Sequence, residues 1–251
     1  MTAKILTLDI ETSPNLADVW GLWNQNIGLN QLHETGKVIA FAAKWHGQPK
    51  VMFFSDHHDG HEEMIDQAWA LLDEADIVVH YNGLTFDMPH LRREFLLAGK
   101  TPPSPWQDVD LLVTVKKRFR FASNKLDHIT RQLGLTGKVS TGGHELWTGC
   151  MAGDPKAWAL MKRYNKQDVV ITEQLYDKLR GWAKVHPHMG LYSDKPDALA
   201  CPRCDGTGVR KKGFKHLPTA TYQQYQCLNT ECGHWFRDSR ANLRVSTRSA
   251  E

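Results

Sequence analysis

Residues 4–12 read KILTLDIET, and their alternation decides the fold. Successive side chains of an extended strand face opposite ways, so Leu6, Leu8 and Ile10 share one face and Asp9 and Glu11 the other. Taken alone, a D-x-E pair is weak, since a chain of this length holds about one by chance. The stretches KVIAFAAKW (37–45) and KVMFFS (50–55) read as two further strands, joined through a turn around Gly47 to Pro49. Apolar spacing predicts a helix over 61–74, and IVVHY (77–81) a short buried strand. A helix over 87–99 opens at Asp87, with Pro89 in its first turn and Gly99 at its end. TPPSP (101–105) breaks the chain. VDLLVTV (109–115) reads as a strand, with a helix as the alternative, and 124–134 as a helix stopped by Gly134. Asp154–Pro155 opens a last helix, predicted to run to about Trp182. This order predicts an α/β fold: a mixed sheet whose first three strands are antiparallel and whose later strands are parallel, flanked by helices.

Composition narrows the class. The 251 residues suffice for one large domain, or one domain and a small module. With 41% hydrophobic and 24% charged residues, the chain is neither disordered, collagen-like nor a disulfide scaffold. No apolar run approaches the ~18 residues of a membrane span. MTAKILTLDI lacks the pattern of a secretory leader, so the expectation is a cytoplasmic protein with no membrane partner. Net charge is only +3, but residues 201–251 hold nine Lys or Arg against four Asp or Glu. A basic tail on a near-neutral body suits a polyanionic partner, although a solvated tail has the same composition.

Two further acidic signals stand beside Asp9 and Glu11. Asp87 follows NGLTF after a middle strand, where an α/β sheet places ligands, and its plain reading is a helix cap. Tyr164 and Asp168 are four apart on the last helix and share its face. In order, the signals are LTLDIET, HYNGLTFDMPHL and YNKQD. This set resembles the DEDD (DnaQ-like) 3′–5′ exonuclease superfamily on the ribonuclease H-like fold, over about residues 4–182. Tyr164 matches its tyrosine (DEDDy) subclass, and ETSPNLADVWGLW is similar to exonucleases of this type from phages, which would place the protein in a host cytoplasm. The resemblance implies two catalytic Mg²⁺ or Mn²⁺ ions on Asp9, Glu11, Asp87 and Asp168. Asp9 would bridge both; Glu11 and Asp168 would hold the ion carrying the attacking water; Asp87 would support the second; Tyr164 would aim the water. It implies release of 5′-mononucleotides from 3′ ends, with DNA favoured over RNA, and a replication or recombination protein as a further partner. Asn82 matches an asparagine of the second motif that touches substrate; its plain reading is a turn residue beside Gly83.

The tail carries its own pattern. Cys201 and Cys204 form a C-x2-C and Cys227 and Cys232 a C-x4-C, which suits four thiolates on one structural Zn²⁺. The pattern resembles a zinc ribbon, although x4 departs from the commoner x2; His216 and His234 are the alternative ligands. Cys150 stands alone and reads as a buried apolar residue. The predicted organisation is an exonuclease domain over 1–185, a linker over 186–200, a zinc-ribbon module over 201–240 and a tail over 241–251.

Cations and aromatics mark where a strand of nucleic acid could lie. Lys116, Lys117, Arg118, Arg120, Lys125, Arg131 and Lys138 interleave with Phe119 and Phe121, the composition of a single-strand surface, or of a solvated face over core rings. In the module, Arg203, Arg210, Lys211, Lys212, Lys215, Arg237 and Arg240 stand among Tyr222, Tyr225, Trp235 and Phe236 as candidate stackers; protein docking is the competing role. STGGH (140–144) reads as a glycine turn, and His57, His58 and His61 as an exposed loop rather than a metal site. Trp20 and Trp23 are read as packed residues, with a cover over the cleft as the alternative. The sequence thus predicts a freestanding 3′–5′ exonuclease. An endonuclease on the same fold and a binding adaptor with an inactive core are the alternatives.

Overall fold

The computed structural model describes residues 2–135 and 142–248. Strand β1 (Ile5–Thr12) leads into a short ribbon, β2 (Leu16–Ala17) and β3 (Leu32–Glu34), and then into β4 (Val38–Trp45) and β5 (Met52–Ser55). Helix α1 (His61–Glu74), β6 (Ile77–His80), α2 (Asp87–Leu97) and β7 (Gln107–Asp110) follow, then α3 (Leu111–Arg118), α4 (Leu126–Gln132), α5 (His144–Met151) and α6 (Pro155–Leu179). The main sheet has the order β5-β4-β1-β6-β7. β1 and β4, and β4 and β5, pair antiparallel, whereas β6 runs parallel to both β1 and β7. The predicted mixed sheet is therefore the observed one, with β1 at its centre.

The alternation of β1 sorts its side chains between two layers. Leu6, Leu8 and Ile10 are buried with Met64, Leu72, Met88 and Leu91 of α1 and α2. Ile5 packs on the other face with Ile77, Val79 and residues of α3 and α6. Asp9 and Glu11 belong to that second face. Opposite them on β4 stand Ala42 and Ala40, both fully buried, and these small residues let α6 come close to the sheet. A register shift follows at Glu11/Thr12, where the strand leaves regular pairing.

Two sequence expectations change. VDLLVTV is neither wholly strand nor wholly helix: β7 ends at Asp110, whose carboxylate accepts the Leu112 N–H at 2.9 Å and starts α3. Helix α6 stops at Leu179, short of Trp182. Its start is as read: Asp154 accepts the Lys156 N–H at 3.0 Å, with Pro155 in the first position.

The C-terminal part is a second sheet of β8 (Val209–Leu217), β9 (Ala220–Cys227), β10 (Trp235–Arg237) and β11 (Leu243–Arg244). β9 pairs with β8 along its length and with β10 and β11 over its two ends. β11 lies in the stretch read as a tail. The sheet sits against the end of α6. Arg203 donates to the carbonyls of His186 (2.6 Å) and Ala183 (3.0 Å), and His234 Nδ1 lies 2.8 Å from the Gly181 carbonyl. A Cβ on Gly181 would fall 1.8 Å from the Cys232 carbonyl oxygen, so only glycine permits this approach. Among the described residues no helix is long and apolar enough to cross a membrane.

Candidate active site

Strands β1 and β6 and helices α2 and α6 bring Asp9, Glu11, Asp87, Tyr164 and Asp168 around one open cleft, together with Asn82, Tyr81 and Leu126. The cavity measures about 240 Å³. Glu11, Asp87 and Asp168 are buried. Asp87 does not cap its helix: Phe86 holds the cap position, and the Asp87 carboxylate accepts the Ile10 N–H at 3.0 Å, tying α2 to β1. Burial pushes its pKa up to about 6 against that hydrogen bond. Tyr164 is pushed well above the ordinary phenol range by burial and then by the charges of Asp168, Glu11 and Asp9. Its ring stands edge-on to Trp147, 6.3 Å between centroids.

Several positioning residues are not visible as motifs. Asn165 is fully buried, and its Nδ2 donates to Asp9 Oδ2 at 2.7 Å and to the Asp9 carbonyl at 3.2 Å. It thereby fixes the orientation of that carboxylate. Asp110 accepts the N–H groups of Asn82 (3.1 Å) and Leu84 (3.3 Å) and so shapes the loop before α2. Asn82 takes a left-handed conformation at φ 73°, and its Oδ1 accepts the Thr85 hydroxyl at 2.9 Å. His80, fully buried, accepts the Gly83 N–H on Nδ1 at 3.1 Å and donates from Nε2 to Asp108 at 3.1 Å. A Cβ on Gly83 would meet the His80 ring at 2.4 Å. Adjacency in the sequence marks Asn165 beside Tyr164; nothing marks His80 or Asp110.

Lys116, Lys117 and Arg118 occupy the last turn of α3, with Arg120 just beyond and Lys125 at the cap of α4. All five are exposed, and none lines the carboxylate cleft. Phe119 and Phe121 are partly buried beside the core. Arg210, Lys211 and Lys212 are exposed on β8. Tyr222 and Tyr225 are buried in the module and are not free stackers; Trp235 remains exposed. Trp20 and Trp23 are 96% and 84% exposed, so the expectation of packing fails. They lie between β2 and β3, a ribbon with too little buried surface to cover them. His57 stacks on Trp158, His58 binds Ser55 Oγ at 2.7 Å, and His61 faces Asp56 and Glu94. Gly142 and Gly143 take positive φ before α5, whereas Lys138, Ser140 and Thr141 lie outside the described residues. Cys150 is buried with Leu146, Trp158 and Met161, and burial pushes its thiol up to about 11.

The sulfurs of Cys201, Cys204, Cys227 and Cys232 all lie within 4.8 Å of one another. Cys201–Cys232 is 3.8 Å and Cys204–Cys227 3.6 Å. A tetrahedral ion with Zn–S bonds of ~2.3 Å sets sulfurs ~3.8 Å apart, so the cluster fits Zn²⁺. These separations are far beyond a disulfide bond. His216 instead pairs with Thr221 on the sheet, at 3.0 Å.

Solved structures similar to this fold number 137 chains. One is the family B DNA polymerase from the hyperthermophilic archaeon Pyrobaculum calidifontis, with a TM-score of 0.55 and 18% identity over 89% of this chain and 33% of the polymerase. The chain thus spans about a third of that enzyme, and at this identity the likeness is one of fold. No curated protein matches the sequence. The sequence model of the RNase_H superfamily matches residues 27–180, which include Asp87, Tyr164 and Asp168 and begin after β1. That match covers more than half of the chain, and the protein belongs to the RNase_H superfamily.

Proposed function

We propose that this chain is a metal-dependent 3′–5′ exonuclease of the DEDDy type, releasing 5′-mononucleotides from nucleic acid, with DNA preferred. The observation that carries the reading is the convergence of Asp9, Glu11, Asp87, Tyr164 and Asp168, from three separate stretches of sequence, on one cleft. An all-oxygen donor set open to water suits Mg²⁺ or Mn²⁺, and the carboxylate charges of Asp168, Glu11 and Asp9 that raise the Tyr164 pKa fit a cationic occupant. Two such ions on Asp9, Glu11, Asp87 and Asp168 would supply charge neutralisation for the phosphodiester and acidity for a bound water.

The chain's own groups do the positioning. Asn165 sets the Asp9 carboxylate, and the Ile10 N–H sets that of Asp87. Tyr164 stays protonated at neutral pH, so it orients a water by hydrogen bonding and does not act as a base. Residues 1–185 form the nuclease unit, 186–200 the linker, and the module from 201 onward carries one structural Zn²⁺ and adds Arg210, Lys211 and Lys212 to the substrate surface.

The test is a time course on 5′-labelled single-stranded DNA, duplex DNA and RNA with Mg²⁺ or Mn²⁺. Wild type yields a ladder shortening from the 3′ end, and Asp9→Ala or Asp168→Ala leaves the substrate intact while circular dichroism is unchanged. Turnover by either variant near the wild-type rate would sink the assignment. Defined internal fragments would identify an endonuclease, and tight binding without cleavage an adaptor.

A further inference from the structure

The main sheet's helices and the cysteine module enclose a groove of about 800 Å³ beyond the end of α6. Arg118, Phe119 and Phe121 line it from the end of α3 onward, Lys178 and Trp182 from the end of α6, and Trp235 from the module. Phe119 stands 5.5 Å from Trp182 and 5.7 Å from Phe121, centroid to centroid. Trp182 is 58% exposed and Trp235 43%, which is more than core packing asks of either ring. Lys116, Lys117 and Arg120 add exposed cations at the end of α3, and Glu231 is the one acid among the lining residues. Neither part of the molecule makes this groove alone.

Open aromatic faces among cations are the chemistry of single-strand binding: cations follow the phosphates and rings stack on bases. We propose that this groove is a second contact for single-stranded nucleic acid, holding the strand upstream of the 3′ end that lies in the carboxylate cleft. The proposal rests on the nuclease reading and extends it to substrate form. Asp168 and Lys178 lie ten residues apart on α6, ~15 Å along the helix. At ~3.4 Å per stacked nucleotide that separation takes up roughly four or five nucleotides. An oligonucleotide of three nucleotides therefore engages only the cleft, and one of eight reaches both sites. A duplex cannot offer its bases to the rings, so the groove selects single strands.

The test is a length series. Fluorescein-labelled oligothymidylates of 3, 5, 8 and 12 nucleotides are titrated with the full chain by anisotropy, with Ca²⁺ replacing Mg²⁺ to hold back cleavage. Wild-type affinity should rise at least tenfold between three and eight nucleotides. Trp182→Ala and Trp235→Ala should each remove most of that rise, so that their difference from wild type grows with length. Lys178→Glu, which removes no ring, should lower the salt dependence of binding to the 8-mer. Unchanged thermal midpoints and zinc content show that the variants are folded. An absent rise in wild type, or a rise kept in both tryptophan variants, overturns the proposal. Failure of the nuclease reading looks different: no oligonucleotide is shortened in Mg²⁺ or Mn²⁺, whatever the anisotropy shows.

Discussion

His186 is held as a neutral ring at the foot of α6. The Tyr176 hydroxyl donates to its Nε2 at 2.8 Å, and its Nδ1 lies 2.7 Å from the Pro187 carbonyl, which fixes the tautomer. Burial, with Arg203 nearby, lowers its pKa to about 4. Its folded-state pKa lies below the unfolded value of ~6.5, so its contribution to stability is complete above that pH and fades toward pH 4. Thermal midpoints should drop across this window, and His186→Gln should drop less steeply; parallel curves would exclude His186 as the source. Single residues were legible in the sequence when a short period placed them. Asp9 and Glu11 follow from a period of two, and Tyr164 and Asp168 from a spacing of four. Asn165 stands beside Tyr164, but its partner Asp9, the Asp108 partner of His80 and the Asn82 and Leu84 partners of Asp110 are distant in the sequence, and no local pattern encodes such pairings. The expectation that Trp20 and Trp23 pack rests on the rule that large apolar rings are usually covered, and among the described residues none covers them.

At the scale of elements, α6 and β4 are clasped by a buried ion pair. Glu173 binds the Lys44 ammonium and accepts the Gly47 N–H at 3.0 Å, with His46 beside it. Burial opposes the charge, but His46, Lys44 and Gly47 outweigh it and hold Glu173 down to about 2. A depressed carboxylate pKa stabilises the fold above ~4.5 and loses that effect as pH falls toward 2. Glu173→Gln leaves Lys44 buried and unpaired, so urea unfolding at pH 7 should show a loss of about 3–5 kcal/mol, shrinking toward pH 3. β1, β4, β5 and β6 were readable from their apolar runs, whereas β7 gives way to α3 at Asp110 inside the run that suggested it. β8 was not: nearly all of VRKKGFKHL is exposed, so no alternation marks it. Its lysines also suit a sheet edge that must not recruit a neighbour.

For the whole molecule, the four-cysteine cluster and the α6 end form one joint through Arg203, His234 and Gly181. Metal analysis should give one Zn²⁺ per chain, and Cys204→Ser should bring it near zero. Limited proteolysis of that variant should first remove the region after residue 200 and spare the part before it; cleavage beginning in the main sheet would contradict this division. The joint also has a consequence for how the molecule is made. Every cysteine of the cluster follows α6 in the chain, and at ~5–20 residues per second the ribosome needs about 3–10 s to pass from Leu179 to Cys232. The main sheet therefore has seconds in which to form before the fourth cysteine of the cluster is added, and any ion that the cluster takes up arrives after it. On the zinc proposal, a cell starved of that metal would not lack the newly made sheet and its cleft; it would hold them with a basic module left loose.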